Sequence, residues 1–188
     1  MTVEEGMKQT ENAYQLLIKV NNLMTDAVVN AYMFTWQWWF GVGLFIIPWI
    51  VWFLFRDKKC TGRLLIGGFV TIILSLIIDL IALSYGLWSY PMKISPIAPL
   101  LFLPYHFSLD PVAIMFVIQI KPKTNPLLKG IIFAAIAAFG GMNFFAMLDF
   151  YNSKGWPTIY DFFIFLFTFL IAYGFSNMDS FRKLTDPS

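Results

Sequence analysis

Residues Trp36 to Phe55 form an unbroken run of twenty residues without one ionisable side chain. Crossing the hydrocarbon core of a bilayer as a helix takes about 20 apolar residues, so this run alone constrains the chain to a membrane-spanning or deeply buried helix. Four more runs come after it. Leu64 to Leu87 is interrupted only by Asp79, and Ile97 to Ile120 contains His106 and Asp110. Gly130 to Leu148 is free of charge, and Thr158 to Ser176 carries Asp161 near its start. Runs of this length specify helices; barrel strands would alternate over segments of about 10 residues. The expected fold is all-α, an integral membrane bundle of about five transmembrane helices. Only 13% of the 188 residues are charged, against about 25% in soluble domains.

Lys and Arg counts set the expected orientation. The first connection holds Arg56, Lys58, Lys59 and Arg63, the third Lys121, Lys123 and Lys129, and the tail Arg182 and Lys183. The other side has Lys8, Lys19, Lys93 and Lys154. The excess predicts the N-terminus outside, the C-terminus cytoplasmic, and a multi-pass protein of the cell membrane. Trp36, Trp38, Trp39, Trp88 and Trp156 then gather at the outer boundary as an aromatic belt. The expected organisation is an extracytoplasmic tail (1–35), a five-helix domain (36–176) and a cytoplasmic tail (177–188). Within the first tail Tyr14, Leu17, Val20, Met24, Ala27 and Val28 recur at helical spacing. They predict an amphipathic helix that lies on the outer leaflet, covers the bundle mouth, or extends the first span.

Ionisable groups inside spans are costly and need a partner or a hydrated cavity. Asp79 lies nine residues before Trp88, and His106 nine residues after Ile97. At 1.5 Å per residue both sit about 13 Å below the outer face, so they can meet if their helices pack. Asp110 is one turn deeper on the face of His106, and Asn143 has a comparable outer-half depth. These four form the expected intramembrane polar cluster. Pro96, Pro99, Pro104 and Pro111 interrupt the third span and leave carbonyls one turn earlier without their helical donors. At the outer boundary Gly86, Trp88, Tyr90 and Pro91 predict an ordered turn, with Trp88 and Tyr90 anchored at headgroup level. The second outer connection, Asp149 to Pro157, repeats the order Gly, Trp, Pro. Gly67-Gly68 and Gly140-Gly141 read as close-packing points between helices.

Several chemistries are excluded. A single cysteine, Cys60, rules out an internal disulfide and multi-cysteine metal sites. One histidine excludes bis-histidine haem, and no phosphate-loop, dinucleotide or paired-histidine zinc motif is present. No metal, cofactor or nucleic acid is expected. The expected partners are the lipid bilayer, a second copy of the chain or another membrane protein.

The stretch from Asp79 through Gly86-Leu-Trp-Ser-Tyr-Pro91 to Pro96, with Pro104-Tyr-His-Phe-Ser-Leu-Asp-Pro111 and Gln119, resembles an uncharacterised family of small multi-pass membrane proteins. The family occurs in spore-forming Gram-positive bacteria such as bacilli and clostridia. The likeness covers roughly residues 40–176. This chain departs from the family pattern in having His106 in place of an acidic residue and Asp110 in place of an apolar one. The resemblance implies a bacterial host and a topology but no reaction. The leading expectation is a non-enzymatic packing or interaction component. A small oligomeric transporter or channel using the intramembrane Asp and His is one alternative. An intramembrane enzyme acting on a lipid or isoprenoid is the other.

Overall fold

A computed structural model describes residues 1–96 and 101–178. Among these the chain is helical, with one isolated bridge between Ser89 and Asn152 and no strand. The helices are α1 (Val3–Ala27), α2 (Trp36–Phe55), α3 (Thr61–Ser84), α4 (Asp110–Gln119), α5 (Pro126–Met147) and α6 (Thr158–Ser176). Four of them, α2, α3, α5 and α6, are long and apolar enough to cross a membrane.

The third expected span differs from the other four. Residues 97–100, at its expected start, lie outside the described residues; among the described ones helix runs from Leu103 to Gln119. A π-turn at Tyr105–Leu109 leads into α4. Pro111 explains part of this geometry, because its ring nitrogen cannot donate to the carbonyl of Phe107 one turn earlier. The indole of Trp49, on α2, donates to that carbonyl instead at 2.8 Å. The freed backbone group thus becomes an interhelical tie.

α1 is not a continuation of α2. A π-turn at Val28–Tyr32 ends it, Phe34 takes φ 66°, and the Thr35 hydroxyl caps α2 by accepting from the amide of Trp38. α1 buries none of its residues.

Packing is centred on α6, which lies against both α3 and α5, while α4 packs against α3. α2 meets the π-turn that precedes α4. Small residues allow these approaches. A Cβ added at Gly67 would stand 3.4 Å from the carbonyl of Ala172, and one at Gly130 2.8 Å from the ring of Phe169. Gly67-Gly68 therefore sits at a close helix crossing. Gly140-Gly141 does not: a Cβ at Gly140 would meet nothing within 4 Å, and both residues lie in a π-turn (Ile136–Met142) within α5.

The connections at each end are tied together. At one end the Gln119 amide donates to the carbonyl of Phe55 at 2.9 Å and accepts from the amide of Asp57 at 2.8 Å. That joins the two lysine-rich connections. At the other end Ser89 and Asn152 exchange backbone hydrogen bonds of 2.9 Å. Both of these connections begin alike. After α3, Gly86 at φ 67° lets Leu87 donate to the Ala82 carbonyl; after α5, Asp149 at φ 61° lets Phe150 donate to Phe145. Each is a Schellman ending, which needs one left-handed residue after the helix.

Candidate functional site

The buried face of α3 repeats at helical spacing through Leu64, Gly68, Thr71, Ser75, Asp79 and Ala82. Asp79 is the ionisable group on that face and is 2% exposed. Its Oδ1 accepts from the Trp88 indole and from the Tyr90 hydroxyl, both at 2.7 Å. Its Oδ2 faces His106 Nε2 at 3.0 Å. The other ring nitrogen, Nδ1, lies 3.2 Å from Ser75 Oγ. Ser75 has one hydroxyl hydrogen and is also 3.1 Å from the carbonyl of Ile72. That one hydrogen serves either Ile72 or Nδ1 at a time, so the turn of the Ser75 hydroxyl decides whether Nδ1 meets a donor or an acceptor.

This network fixes the turn that follows α3. Trp88 is buried, its indole N–H reaching inward to Asp79. Tyr90 is buried as well, and burial together with the neighbouring Asp79 pushes its phenol well above the usual range. Gly86 and Pro91 remain on the surface of the turn. Lys93 closes the structure above: its ammonium lies over the Tyr90 ring at 5.3 Å and donates to the Leu101 carbonyl at 3.3 Å. Burial lowers its pKa to about 8, with Asp79 pulling the other way.

Beneath these groups lies a cavity of about 40 Å³, lined by Asp79, His106, Asp110, Tyr151 and Asp161 among others. A water needs roughly 10–15 Å³ by this measure, so two or three fit. The groups lining it are not equally satisfied. Asp161, on α6, accepts from the Trp156 indole at 3.0 Å. The Tyr151 hydroxyl is buried without a hydrogen-bond partner. Asp110 is 3% exposed and accepts no hydrogen bond from any described residue. No group of three or more His, Cys, Asp or Glu side chains among the described residues is arranged to hold a metal ion.

The structure brings Asp79, His106 and Asp110 to one cavity and leaves Asn143 out. The Asn143 side chain is exposed and donates to the Phe139 carbonyl of its own helix at 2.7 Å. The π-turn preceding it is the reason: one extra residue rotates the remainder of α5 by about 100° about the helix axis, so Met142 and Phe145 face the cavity instead. Asp161 and Tyr151 were not anticipated. The signal for them lay around the connection between α5 and α6, where Trp156 and Asp161 repeat the Trp88–Asp79 pairing.

A second, larger space adjoins the first. A groove of about 630 Å³ runs between α4 and α5, which both pack on other helices rather than closely on each other. Its walls include Ala113 and Val117 on one side and Ile132 and Ile136 on the other, and Ile132 and Ile136 are more than half exposed. Tyr105, Asp110, Met142, Phe145 and Phe165 line both spaces. No protein-family model matches the chain, no curated protein matches it, and no solved structure is similar to it.

Proposed function

We propose that this chain is a multi-pass protein of the bacterial cell membrane that binds a small polar group within the bilayer, with Asp110 as the receiving side chain. Asp110 carries the proposal. It is a buried carboxyl with no protein partner among the described residues, and it lines a cavity able to admit water. An Asp at the centre of a span costs about 2.5–3.5 kcal/mol on insertion scales, a penalty that a bound donor or cation offsets. Asp79 and His106 have a different part in this reading. Their hydrogen bonds are complete within the protein, so they hold the outer turn over the site. The activity is that of a binding or interaction component, and no reaction is invoked.

The topology that accompanies this reading has five crossings, with the N-terminus outside and the C-terminus in the cytoplasm. The helix from Leu103 to Gln119 is the fifth crossing; at 1.5 Å per residue it spans about 25 Å, close to the hydrocarbon thickness. The shared basic end supports the orientation, since the two lysine-rich connections are bonded through Gln119. Cys60 is exposed at that end. A membrane-impermeant maleimide on intact cells should leave Cys60 unlabelled and label a cysteine introduced at Ser89; the reverse pattern overturns the orientation.

The binding reading is tested by thermal melting in lipid nanodiscs. Asp110→Leu should melt at or above the wild-type temperature, because it removes an unpaired buried carboxyl. Asp79→Leu should melt well below it. If Asp110→Leu unfolds as readily as Asp79→Leu, Asp110 belongs to the frame and the proposal fails.

A further inference from the structure

The polar cavity and the apolar groove meet at Asp110, and that junction narrows the class of ligand. The groove is long, tracking α5 from Lys129 to Phe145, about 24 Å at the helical rise. Its volume of about 630 Å³ lies in the range of ligand pockets, about 300–1,000 Å³. Small side chains make the room: Ala113 on α4, and Ala137 and Gly141 on α5. Polar lining is confined to its ends, with Lys121, Thr124 and Lys129 at one and Asp110 and Tyr105 at the other.

The two ends are not equivalent. Lys129 is nine-tenths buried, and its ammonium already donates to the Ile118 carbonyl at 2.9 Å, pinning α5 to the end of α4. Asp110 has no such partner. A polar head should therefore settle at Asp110, where an acceptor is waiting, and the buried Tyr151 hydroxyl, itself unpartnered, lines the cavity beyond. That cavity, about 40 Å³, is too small for a phosphodiester or a sugar but admits a hydroxyl or amine. A second carboxylate beside Asp110 would meet like charge at close range, which disfavours an anionic head.

Resting on the proposed binding site at Asp110, we infer that the ligand is a single-chain amphiphile, its hydrocarbon chain lying in the groove between α4 and α5 and its small hydrogen-bond-donating head, a hydroxyl or amine, meeting Asp110. The exposed Ile132 and Ile136 form a wall across which such a chain can enter sideways from the bilayer.

The test uses the full-length protein in phosphatidylcholine nanodiscs and a 16-carbon alcohol with a diazirine near the end of its chain. Photolysis and peptide mapping should find adducts on groove residues such as Leu128 and Ile132. Unlabelled hexadecanol should compete, and hexadecanoic acid should compete at least tenfold less well. Asp110→Leu should cut labelling at least tenfold. Ile132→Trp, at a position 52% exposed and so tolerant of a larger side chain, should also cut it by filling the groove while Asp110 stays in place. Equal competition by the acid, or labelling unchanged in Ile132→Trp, overturns the amphiphile assignment. Either result leaves the melting comparison of Asp110→Leu with Asp79→Leu unaffected, so failure of the ligand class is separable from failure of the site.

Discussion

Replacing Asp79 by leucine should be the most damaging single change at this end of the bundle. The carboxylate accepts from the Trp88 indole, the Tyr90 hydroxyl and, through its other oxygen, faces His106. Leucine has about the right size but no acceptor, so three buried polar groups lose their partner together. Each stranded group costs about 1–3 kcal/mol, and the phenol can recover part of its share by turning, which gives about 2–8 kcal/mol in all. His106→Leu removes one of those contacts and should cost less, about 1–3 kcal/mol. Since the two side chains touch, the losses should not add. The double variant should fall short of the sum by about 1.5–3 kcal/mol, the worth of a hydrogen bond to a charged group. Reversible unfolding in mixed detergent micelles, monitored by tryptophan fluorescence, reads each value. A cost below about 1 kcal/mol for Asp79→Leu, or strict additivity, refutes the reasoning.

Single contacts give three further expected outcomes. Lys93 has its pKa lowered from 10.5 to about 8 by burial, so between those values the unfolded chain binds the extra proton and stability rises with pH. The shift corresponds to about 3 kcal/mol, and the rise should be visible from about pH 8 to 9.5, below the point at which the tyrosines titrate, and absent in Lys93→Met; a rise of equal size in Lys93→Met contradicts this. Trp49→Phe should cost about 1–2 kcal/mol by stranding the Phe107 carbonyl. That loss should shrink when Pro111→Ala supplies a backbone donor, and an identical loss in both backgrounds, read by the same unfolding assay, counts against the tie. Gly130→Val should lower stability by about 1–3 kcal/mol, because a side chain there runs into Leu166 and Phe169 of α6; an unchanged melting temperature shows that α6 yields.

The four long helices were legible because their apolar runs are bounded by strong local signals. Trp36–Phe55 comes after a Thr cap, Thr158–Ser176 comes after a proline, and the ends of α3 and α5 are set by Gly86 and Asp149 in left-handed conformations. The third span was harder to read. Its prolines weaken regular helix without excluding it, and hydropathy does not register where a proline-rich run starts to coil. Equal depth on adjacent helices put Asp79 and His106 within reach, and the structure has them 3.0 Å apart. Depth alone failed for Asn143, since the π-turn before it shifts the helical phase and no residue pattern announces such a turn. Trp88 was read from its position at the boundary, yet its indole obeys the stronger attraction of a buried carboxylate. The groove was invisible in sequence. It exists because α5 packs on the helix that follows it, α6, rather than on the one that precedes it, α4, and no local pattern in the sequence records that choice.

The central claim is that Asp110 receives a ligand which the protein itself does not supply. The most direct measurement is an experimental structure of the protein purified in native lipid, held in a nanodisc and enlarged by an antibody fragment. The account predicts density within hydrogen-bond distance of Asp110, continuing as a chain between Val117 and Ile132. A closed groove, with Asp110 hydrogen-bonded to another side chain of the protein and no density beside it, would contradict the account.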